Sequence, residues 1–391
     1  MLGAIIGDIV GSYYEVEEVQ AIKNNSDKKR PYNERIKILN PSTSLFLEES
    51  SYTDDSILTL AIAHSLIDNE TFESSLRKYG LKEVELGKDK YGRSRFGKGF
   101  VSWLKKEKAG DSYGNGASMR ISSIGYYYDD LDVILSKTQE ATMPSHNNAE
   151  AILGAQSVTT AIYLARNNFS KEEIKKELET RFNLNLNYNL EDLQHNYRFS
   201  SRTLESVPQA IYCFLISTSF EDCLRKSISI GGDADTIAAI SCSIAESFYG
   251  IPEELKQKAL SHLPENYKKT VNDFYNVLYL KQQLLELDIC HDEFWDYMST
   301  RTKRINAPVE SGLWGTFTDN DIEGRITNIR ILVPEIVDEK TLLVNIHEYA
   351  HAYELYQELG NIYKPNKKSS EAYAISKEEE YLSKKKTYEQ S

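Results

Sequence analysis

Apolar residues recur at helical spacing through most of the first 279 residues. Segments such as DDSILTLAIAHSLI, AILGAQSVTTAIYLARN and DTIAAISCSIAESFYG place them three and four positions apart, as on the buried face of a helix. The alternation with a period of two that indicates strands is nearly absent there. Ala, Ser and Gly are frequent in the same segments, and small side chains suit closely packed helices. The pattern predicts a compact, multi-helix, all-α domain over residues 1–280.

The pattern changes after DFYNVLYLKQQLLELDI. The segment SGLWGTFTDNDIEGRITNIRILVPEI combines turn residues with a β-prone run, and DEKTLLVNIHEYAHAYELYQELG predicts a capped helix. YKPNKKSS ends that helix, and EAYAISKEEEYLSKKK predicts a last charged helix with a frayed tail. We therefore expect a second, small α+β domain over residues 286–391.

Composition and charge narrow the classes of function. The net charge of −13 argues against a broad surface for nucleic acid or anionic lipid. The four cysteines, at 213, 223, 242 and 290, form no CxxC pair, so neither a disulfide framework nor a Cys-based zinc site is expected. The start MLGAIIGDIVGS lacks a basic leader, and no uncharged run is long enough to span a bilayer. These features favour a cytoplasmic protein without a membrane partner.

Two acidic motifs, SYTDDSILTL and SIGGDADTIAAI, each begin an apolar helical run. One interpretation is two helix N-caps, since Asp and Thr accept hydrogen bonds from free backbone N–H groups there. One cap for each helix would suffice, however, and clustered carboxylates repel one another without cations. All-oxygen ligands suit Mg²⁺ or Mn²⁺, and there are enough for two ions. The candidate ligands are Thr53, Asp54, Asp55, Asp233, Asp235 and Thr236.

Five motifs, GAIIGDIVGSYYE, YTDDS, SYGNGASMR, SHNNAEAILGA and ISIGGDADT, occur in the order found in ADP-ribosylglycohydrolases. Over residues 1–280 the chain resembles this family, which includes dinitrogenase reductase-activating glycohydrolase, and five ordered motifs are far more specific than one. The resemblance implies an all-helical fold with a two-metal cleft that hydrolyses the ribose C1 glycosidic bond. ADP-ribose would then be released from a modified protein or another ADP-ribosyl adduct, through an oxocarbenium-like state at the sugar.

The resemblance also implies roles for single residues. The six candidate ligands match the family's metal ligands, and Glu15, in GSYYE, matches a carboxylate near the scissile bond. Glu15, Asp54 and Asp55 form the expected catalytic set, although Glu15 also fits a solvated acid among the Glu residues of EVEEVQ. Asp8 matches the family's Gly-Asp pair, but we expect it to be a loop or cap residue.

The loop DSYGNGASMR matches the family's diphosphate-binding loop. Its small residues predict backbone N–H groups that reach a pyrophosphate, at Ser112, Tyr113, Gly114 and Asn115. The alternative is an ordinary turn before a helix. His146 is expected to hydrogen-bond ADP-ribose, although SHNN departs at Ser145 from the Thr-His of many relatives. The segment YGRSRFGKGFVSW, residues 91–103, has the residues to steer an anion or stack on adenine, but we expect a surface loop leading into a helix.

NIHEYAHAYELY contains the pattern His-Glu-x-x-His. His347 and His351 lie four apart on one helix face, where they can hold one zinc ion while Glu348 polarises its water. Glu371, twenty residues after His351, is the expected third ligand, and Glu378 is the second candidate. The alternative is a solvated acidic face with two surface histidines. The β-prone run before the motif and the helix after it favour a small zincin-like domain.

The leading hypothesis is therefore an ADP-ribosyl glycohydrolase with two Mg²⁺ or Mn²⁺ ions and a zinc ion in the second domain. A second hypothesis is a zinc metallopeptidase that an ADP-ribose-binding domain directs to modified targets. A third is a non-catalytic ADP-ribose sensor, which the intact acidic motifs weaken, because a sensor does not need both of them. The acceptor linkage stays open among arginine, serine, another residue, a nucleic acid and a small molecule.

Overall fold

The structure is a computed structural model that describes residues 1–24, 29–68, 70–89, 91–107, 110–289, 294–295, 297–298, 305–307, 314–323, 325–359 and 367–390. The chain forms two compact units. The first comprises residues 1–64 and 71–271, and the second comprises residues 65–70 and 272–391. The division lies inside the helix Glu265–Glu286, whereas the sequence pattern places the second domain after that helix.

Up to residue 286, the regular elements among the described residues are helical, which confirms the helical prediction for this part of the chain. Single 3₁₀ turns lie at Ile36–Leu39, Ser118–Arg120 and Thr203–Glu205. The α-helices are α1 (Leu2–Asn24), α2 (Tyr32–Arg35), α3 (Asp54–Asp68), α4 (Phe72–Leu86), α5 (Lys98–Leu104), α6 (Ser122–Tyr127), α7 (Leu131–His146), α8 (Ala149–Arg166), α9 (Lys171–Phe182), α10 (Leu190–Asn196), α11 (Val207–Leu215), α12 (Phe220–Ser229), α13 (Ala234–Tyr249), α14 (Glu253–Ser261) and α15 (Glu265–Glu286).

Several of these helices begin where the sequence supplies a capping side chain. Asp130, Asn148, Ser170 and Ser219 each accept a hydrogen bond from a backbone N–H in the first turn of the helix that follows. Such caps satisfy donors that have no partner inside the helix. The boundaries of α7, α8, α9 and α12 are therefore set locally.

Helices α1 and α13 are in direct backbone contact. Gly7 and Gly11 lie four residues apart on one face of α1. A Cβ atom at Gly7 would lie 2.3 Å from the carbonyl carbon of Ala238, and one at Gly11 would lie 2.5 Å from the Cα atom of Asp235. This interface has no room for a methyl group, so the first turn of α13 lies directly against α1.

The start of α13 is fixed by two glycines in the left-handed region. Gly231 has a φ of 73° and Gly232 a φ of 72°, values that other residues rarely adopt. The Arg35 guanidinium and the Tyr197 ring occupy the space that a Cβ atom would need at these two positions. From Ala234 to Ala245 every residue of α13 is buried. The helix that carries the second acidic motif is thus held within the core of the first unit.

The second unit contains a three-stranded sheet with the order β1-β3-β2. The strands are β1 (Ile305–Ala307), β2 (Gly315–Asn320) and β3 (Ile326–Pro334). β1 is parallel to β3, and β2 is antiparallel to it, with Gly315 opposite Leu332 and Phe317 opposite Arg330. The β-prone run RITNIRILV therefore forms the central strand of the described sheet.

Two helices follow the sheet: the motif helix (Glu339–Gln357) and the terminal helix (Lys367–Gln390). Asp338 and Thr341 form a capping box at the start of the motif helix. The terminal helix begins at Lys367, inside the segment predicted to be a break, and continues to Gln390, where a frayed tail was predicted. This unit is an α+β structure.

Two further observations bear on the setting of the protein. No helix in the described part of the chain is both long and apolar enough to cross a membrane. The thiols of Cys213, Cys223 and Cys242 are free and buried, and Cys290 lies outside the described residues.

Candidate functional site

Carboxylates from three segments meet in the first unit. Asp8, Asp55 and Asp235 each offer an oxygen atom, and these atoms lie within 4.8 Å of one another. Glu15, Asp233 and Asp235 form a second group with the same limit. Asp235 belongs to both groups. The structure therefore joins the two acidic motifs with α1 in one acidic cluster, defined here as these five residues.

Helix starts place most of these acids. Asp55 lies in the first turn of α3, Asp233 directly precedes α13, and Asp235 lies in the first turn of α13. Helix N-termini carry unpaired N–H groups and the positive end of the helix dipole, which favour negative charge. The backbone N–H of Thr236 donates to Asp235 Oδ1 at 2.8 Å. Thr53 accepts a hydrogen bond from the Asp55 N–H at 3.4 Å at the start of α3, whereas Asp233 makes no side-chain capping hydrogen bond at the start of α13.

Asp8 lies inside α1 rather than in a loop, and it caps α3 from there. Its oxygens accept hydrogen bonds from the backbone N–H groups of Thr53, at 2.9 Å, and Ser56, at 3.0 Å. They also accept from the Thr53 hydroxyl at 2.6 Å and from the Ser56 hydroxyl. With four donors, the Asp8 carboxylate is more fully satisfied than any candidate ligand in the acidic motifs, and it holds the start of α3 against α1.

Burial and mutual repulsion favour the protonated forms of these acids. Burial, together with neighbouring carboxylates, raises the pKa of Asp54, Asp55 and Asp235 well above the ordinary value. Burial and the negative charge of Asp233 raise the pKa of Glu15 to about 7. Burial also raises the pKa of Asp233, although a hydrogen bond from Asn115 opposes the shift. The charge of Arg93 opposes the shift at Glu15 but does not offset it.

One oxygen in the cluster is conspicuously unsatisfied. Asp55 Oδ1 is buried and has no hydrogen-bond partner among the described residues, whereas Oδ2 accepts from the Thr236 hydroxyl at 3.3 Å. A buried acceptor without a partner costs about 1–3 kcal/mol, and more when it is charged. The donor set consists only of carboxylate and hydroxyl oxygens, which suits hard divalent cations. The cluster therefore fits such ions, and Asp55 Oδ1 is a ready ligand atom.

A cavity of about 620 Å³ opens over the acidic cluster. This is within the range of small-molecule sites, roughly 300–1,000 Å³. Among the residues expected to bind substrate, Asn115 lines the cavity, whereas Ser112, Tyr113, Gly114 and His146 do not. The acids and hydroxyl residues that line it are Ser12, Glu15, Tyr52, Thr53, Asp54, Asp55, Asp89, Ser94, Ser201, Asp233, Asp235 and Thr236.

Three backbone amides in the loop at residues 112–115 donate hydrogen bonds to other atoms of the protein. The N–H of Ser112 donates to the Ser145 carbonyl at 3.4 Å, that of Gly114 to Ser112 Oγ at 3.1 Å, and that of Asn115 to the Ser201 carbonyl at 2.8 Å. These three amides already have protein partners in this conformation, so their binding of a pyrophosphate stays a prediction. Asn115 instead acts through its side chain, which donates to Asp233 Oδ2 at 2.8 Å.

His146 supports that loop from behind the cavity wall. It is buried, and its Nδ1 lies 2.7 Å from Ser145 Oγ, which accepts from Arg120 at 2.8 Å. Since Arg120 donates to Ser145, the Ser145 hydroxyl is free to donate to Nδ1. Burial and the charge of Arg120 hold the pKa of His146 well below its ordinary value, so the imidazole is neutral. A Cβ atom at Gly116 would lie 3.1 Å from His146 Nε2, so the histidine sets the position of the loop.

The segment from Arg93 to Gly97 lines the cavity, although the sequence favoured a surface loop. Arg93 Nε donates to Asp89 Oδ2 at 2.6 Å. Arg95 lies 3.4 Å from the Glu83 carboxylate and 4.0 Å from the centre of the Tyr52 ring. In the sequence, the mixture of arginines and aromatic residues suggested that this loop binds a ligand. It could not show that the loop lies beside the acidic cluster.

The His-Glu-x-x-His residues form a separate cluster in the second unit. His347, His351 and Glu371 each offer an atom within 4.8 Å of the others. These residues and Glu348 line a cavity of about 410 Å³. Glu378, the second candidate for a third ligand, contacts the other side of the imidazole, at His347 Nδ1. The alternative of two paired histidines beside a solvated acidic face stays open, because the two Nε2 atoms lie 3.1 Å apart and Glu371 is 57% exposed.

A family model described as ADP-ribosylglycohydrolase matches residues 1–288. The chain belongs to the ADP-ribosylglycohydrolase family. It is similar to human ADP-ribosylhydrolase ARH3, with 26% identity over 352 residues that cover 69% of this chain and 89% of that protein. An uncharacterized protein of Archaeoglobus fulgidus is 28% identical over 280 residues, which cover 65% of this chain and 88% of that protein. A solved structure described as an ADP-ribosylglycohydrolase-related protein complex gives a TM-score of 0.45 at 20% identity, covering 67% of this chain and 95% of that one.

The ADP-ribosylglycohydrolase match contains both acidic motifs and ends before the motif helix. Membership of this family makes the chain a glycohydrolase, and the acidic cluster is consistent with the divalent metals that the family generally uses. The zincin-like identity of the second unit receives no support from the comparisons.

The metal-free ADP-ribosylglycohydrolase should lose stability as the pH rises from 5 to 8. The folded-state pKa of Glu15 is about 7, and those of Asp55 and Asp235 are raised well above ordinary values. The folded state therefore binds more protons than the unfolded state, and stability is lost as the pH rises through the folded-state pKa. For each proton that the folded state binds in excess of the unfolded state, Tm should fall by roughly 3 °C per pH unit.

Thermal unfolding followed by circular dichroism in EDTA at pH 5, 6, 7 and 8 measures this slope. Adding Mg²⁺ at pH 8 should restore the lost stability, and Asp235→Asn should flatten the slope. A Tm that does not change with pH in the metal-free protein would contradict the charge balance described for the cluster.

Proposed function

We propose that the first unit hydrolyses the ribose C1 glycosidic bond of an ADP-ribosylated protein or another ADP-ribosyl adduct, with two Mg²⁺ or Mn²⁺ ions. The observation that carries the proposal is the pair of carboxylate groups that share Asp235 beneath the cavity. Because the cavity lies within the part of the chain that matches the ADP-ribosylglycohydrolase family, ADP-ribosyl compounds are the proposed substrate class. The volume of about 620 Å³ suits a ligand of nucleotide size.

The proposed ligands are the six residues of the two acidic motifs, with Asp235 between the two ion positions. Asp55 belongs to one carboxylate group, and Asp233 belongs to the other together with Glu15. Asp8 is the least available member, because its carboxylate already accepts four hydrogen bonds. Asp54 is half-buried and lines the cavity, which makes it a candidate ligand at the cavity wall. Bound there, the two cations would supply Lewis acidity that orients ribose hydroxyls and offsets charge as the bond breaks.

We assign to Glu15 the handling of a proton close to the reacting carbon. Glu15 lines the cavity beside Asp233 and Asp235, and a carboxylate in this position can act as a general acid or base. Its neighbours on α1, Val16 and Val19, continue the cavity wall. Such a position suits the orientation of a water molecule and acceptance of its proton.

Aromatic residues at the cavity wall are candidates for the adenine subsite. Tyr52, Phe96 and Phe199 line the cavity, and the half-buried Phe199 is the candidate for stacking, because Phe96 is buried and Arg95 lies over the Tyr52 ring. Arg93 and Arg95 lie in the same wall, each beside an acidic side chain. They therefore bring donors to a diphosphate without a large net positive charge.

The decisive experiment is release of ADP-ribose from defined linkages. Arginine-linked, serine-linked and nucleic-acid-linked substrates would be incubated with Mg²⁺, Mn²⁺ or EDTA, and free ADP-ribose would be measured by liquid chromatography and mass spectrometry. We expect release from at least one linkage with a metal and none with EDTA. Activity that persists in EDTA would reject the two-metal assignment, and no release from any linkage would reject the glycohydrolase assignment.

A non-catalytic ADP-ribose sensor would bind ADP-ribose without turnover in this experiment. The unsatisfied Asp55 Oδ1 and the shared Asp235 favour catalysis, because binding alone does not require two ion positions. We also propose a cytoplasmic location, which suits the free thiols of Cys213, Cys223 and Cys242.

A further inference from the structure

Two imidazoles of the motif helix direct the same ring atom at one point. His347 Nε2 and His351 Nε2 lie 3.1 Å apart. The carboxylate oxygens of Glu371 lie 3.6 Å from each of them. With Zn–N bonds of about 2.0–2.1 Å and tetrahedral angles, two nitrogen ligands lie roughly 3.3 Å apart. The spacing of the two nitrogens is therefore close to that of a zinc site.

The hydrogen bonds at the two Nδ1 atoms determine which ring nitrogens of His347 and His351 carry protons. His347 Nδ1 lies 2.7 Å from the Glu378 carboxylate, so its N–H donates a hydrogen bond to that carboxylate. His351 Nδ1 lies 2.7 Å from Ser370 Oγ, and the Ser370 hydroxyl donates to Glu354 at 2.7 Å. Ser370 must then accept from His351. Both Nδ1 atoms carry protons, so in the neutral rings both Nε2 lone pairs face one another, an arrangement that a bound cation stabilises.

Glu348 is held beside this point without being one of the ligands. Its Oε2 accepts a hydrogen bond from Thr316 Oγ1 at 2.9 Å, and the same hydroxyl lies 3.0 Å from the Glu348 carbonyl oxygen. Thr316 lies on β2. The strand therefore fixes the rotamer of the carboxylate that a hydrolytic reaction would use as a base.

β2 also forms one wall of the cavity of about 410 Å³. Thr316, Thr318 and Asn320 line the cavity, as alternate residues on one face of a strand do. In the order β1-β3-β2, β2 is an edge among the described strands. An edge strand offers backbone N–H and C=O groups to an added strand. An extended peptide is the ligand that such a wall fits.

We propose that the second unit is a zinc-dependent peptidase that binds an extended peptide along β2. The zinc ligands are His347, His351 and Glu371, and Glu348 is the general base. Imidazole nitrogens favour zinc over Mg²⁺. This proposal is independent of the glycohydrolase function, because it uses residues beyond the family match.

The reaction is a balanced hydrolysis. Glu348 takes a proton from a water molecule held at the site, and the oxygen of that water forms a bond to the carbonyl carbon of the peptide. The C–N bond breaks, and Glu348 returns the proton to the leaving nitrogen. The products are a carboxyl group and an amine. Zinc would supply the Lewis acidity that makes the water acidic near neutral pH.

Zinc binding tests the site without any assay of turnover. Full-length protein would be dialysed against buffered zinc, and its metal content and zinc affinity would be measured by mass spectrometry and chelator competition. We expect one zinc per chain at this site in the wild type, and loss of that zinc in His351→Asn. Glu378→Gln should keep the zinc with an affinity about 10–100-fold lower, as for other partners of ligating histidines. Glu371→Gln should lose more affinity than Glu378→Gln.

The matched control is Glu379→Gln, which changes an exposed acid on the same helix and should leave zinc affinity unchanged. Circular dichroism would establish that each variant is folded. A wild type that binds no zinc under these conditions would overturn the proposal. Equal zinc affinities in Glu371→Gln and Glu379→Gln would also overturn the assigned ligand set.

Peptide cleavage tests the substrate class. The zinc-loaded chain would be incubated with a proteome-derived peptide library, and new termini would be identified by mass spectrometry. We expect cleavages that fall at least about 100-fold in Glu348→Gln, the loss typical of a missing general base, while the bound zinc is retained. No cleavage, or equal cleavage by Glu348→Gln, would reject the peptidase.

A cleaved peptide then tests β2. N-methylation of alternate backbone nitrogens removes donors that pair with a strand but keeps the side chains. We expect methylation at one set of positions to raise KM at least about tenfold, the effect of losing roughly one buried hydrogen bond. Unchanged KM at every position would reject pairing with β2.

Discussion

Replacing Asp235 with Asn should lower the kcat for ADP-ribose release by about 1,000-fold or more. Asp235 is the carboxylate common to both groups of the acidic cluster, so one substitution weakens both proposed ion positions. Metal ions supply several kcal/mol of transition-state stabilisation, and each 1.36 kcal/mol corresponds to a factor of ten in rate. The measurement is kcat on the best substrate at limiting and saturating Mg²⁺.

Asp192→Asn is the matched control, because Asp192 is an exposed acid in the first turn of α10, and its kcat should equal that of the wild type. Circular dichroism should show that Asp235→Asn is folded, since the substitution removes a buried negative charge from a crowded site. Wild-type turnover by Asp235→Asn at limiting Mg²⁺ would reject a shared ligand.

Glu15→Gln should lower kcat by about 100-fold to 10,000-fold, the range for loss of a general acid or base. Affinity for ADP-ribose should change much less, because a group that transfers a proton acts mainly in the transition state. The measurements are kcat at saturating substrate and the Kd of ADP-ribose by calorimetry. Gln keeps the size of the side chain, so the cavity wall is preserved.

Glu254→Gln, at an exposed position on α14, is the control for this substitution. Equal losses of binding and turnover in Glu15→Gln would show that Glu15 anchors the ligand. The wild type should also show a pH dependence of kcat that Glu15→Gln lacks, since a general base acts only in its deprotonated form.

The helical part of the fold was predictable because periodicity and caps are local properties. Segments such as AILGAQSVTTAIYLARN show both, and α8 begins after the cap Asn148 and ends at Arg166. The meeting of Asp55 with Asp235 followed from charge reasoning and from motif order. The helices and their caps need no knowledge of how distant segments pack, whereas the meeting of Asp55 with Asp235 was expected from the resemblance to the family.

Other parts of the site depend on packing that local sequence does not encode. Asp8 caps α3 only because α1 passes beside the start of α3. The amides of Gly114 and Asn115 have internal partners because the Ser112 hydroxyl and the Ser201 carbonyl reach them. Residues 93–97 reach the cavity through a loop without periodicity. Each miss involves a contact between segments far apart in sequence or a loop conformation.

Glu371 and Glu378 illustrate the same limit in the second unit. Residues seven apart lie on one face of a helix, so sequence spacing alone offered either acid as a third ligand. The structure separates them by the imidazole atom that each one faces: Glu371 approaches the Nε2 atoms, and Glu378 approaches His347 Nδ1. The difference arises from ring orientation, which no spacing rule contains.

The glycine contacts between α1 and α13 give the two parts of the candidate active site different capacities for evolutionary change. The spacing of Glu15 and Asp235 is set by main-chain atoms in contact at Gly7 and Gly11, so most substitutions at this interface would push the helices apart and spoil the chemistry. The loop from Arg93 to Gly97 also lines the cavity, and it is less restricted, because a Cβ atom at Gly97 would meet no other atom within 4 Å. New acceptor specificities should therefore arise by exchange of this loop, and directed evolution aimed at other linkages should begin there.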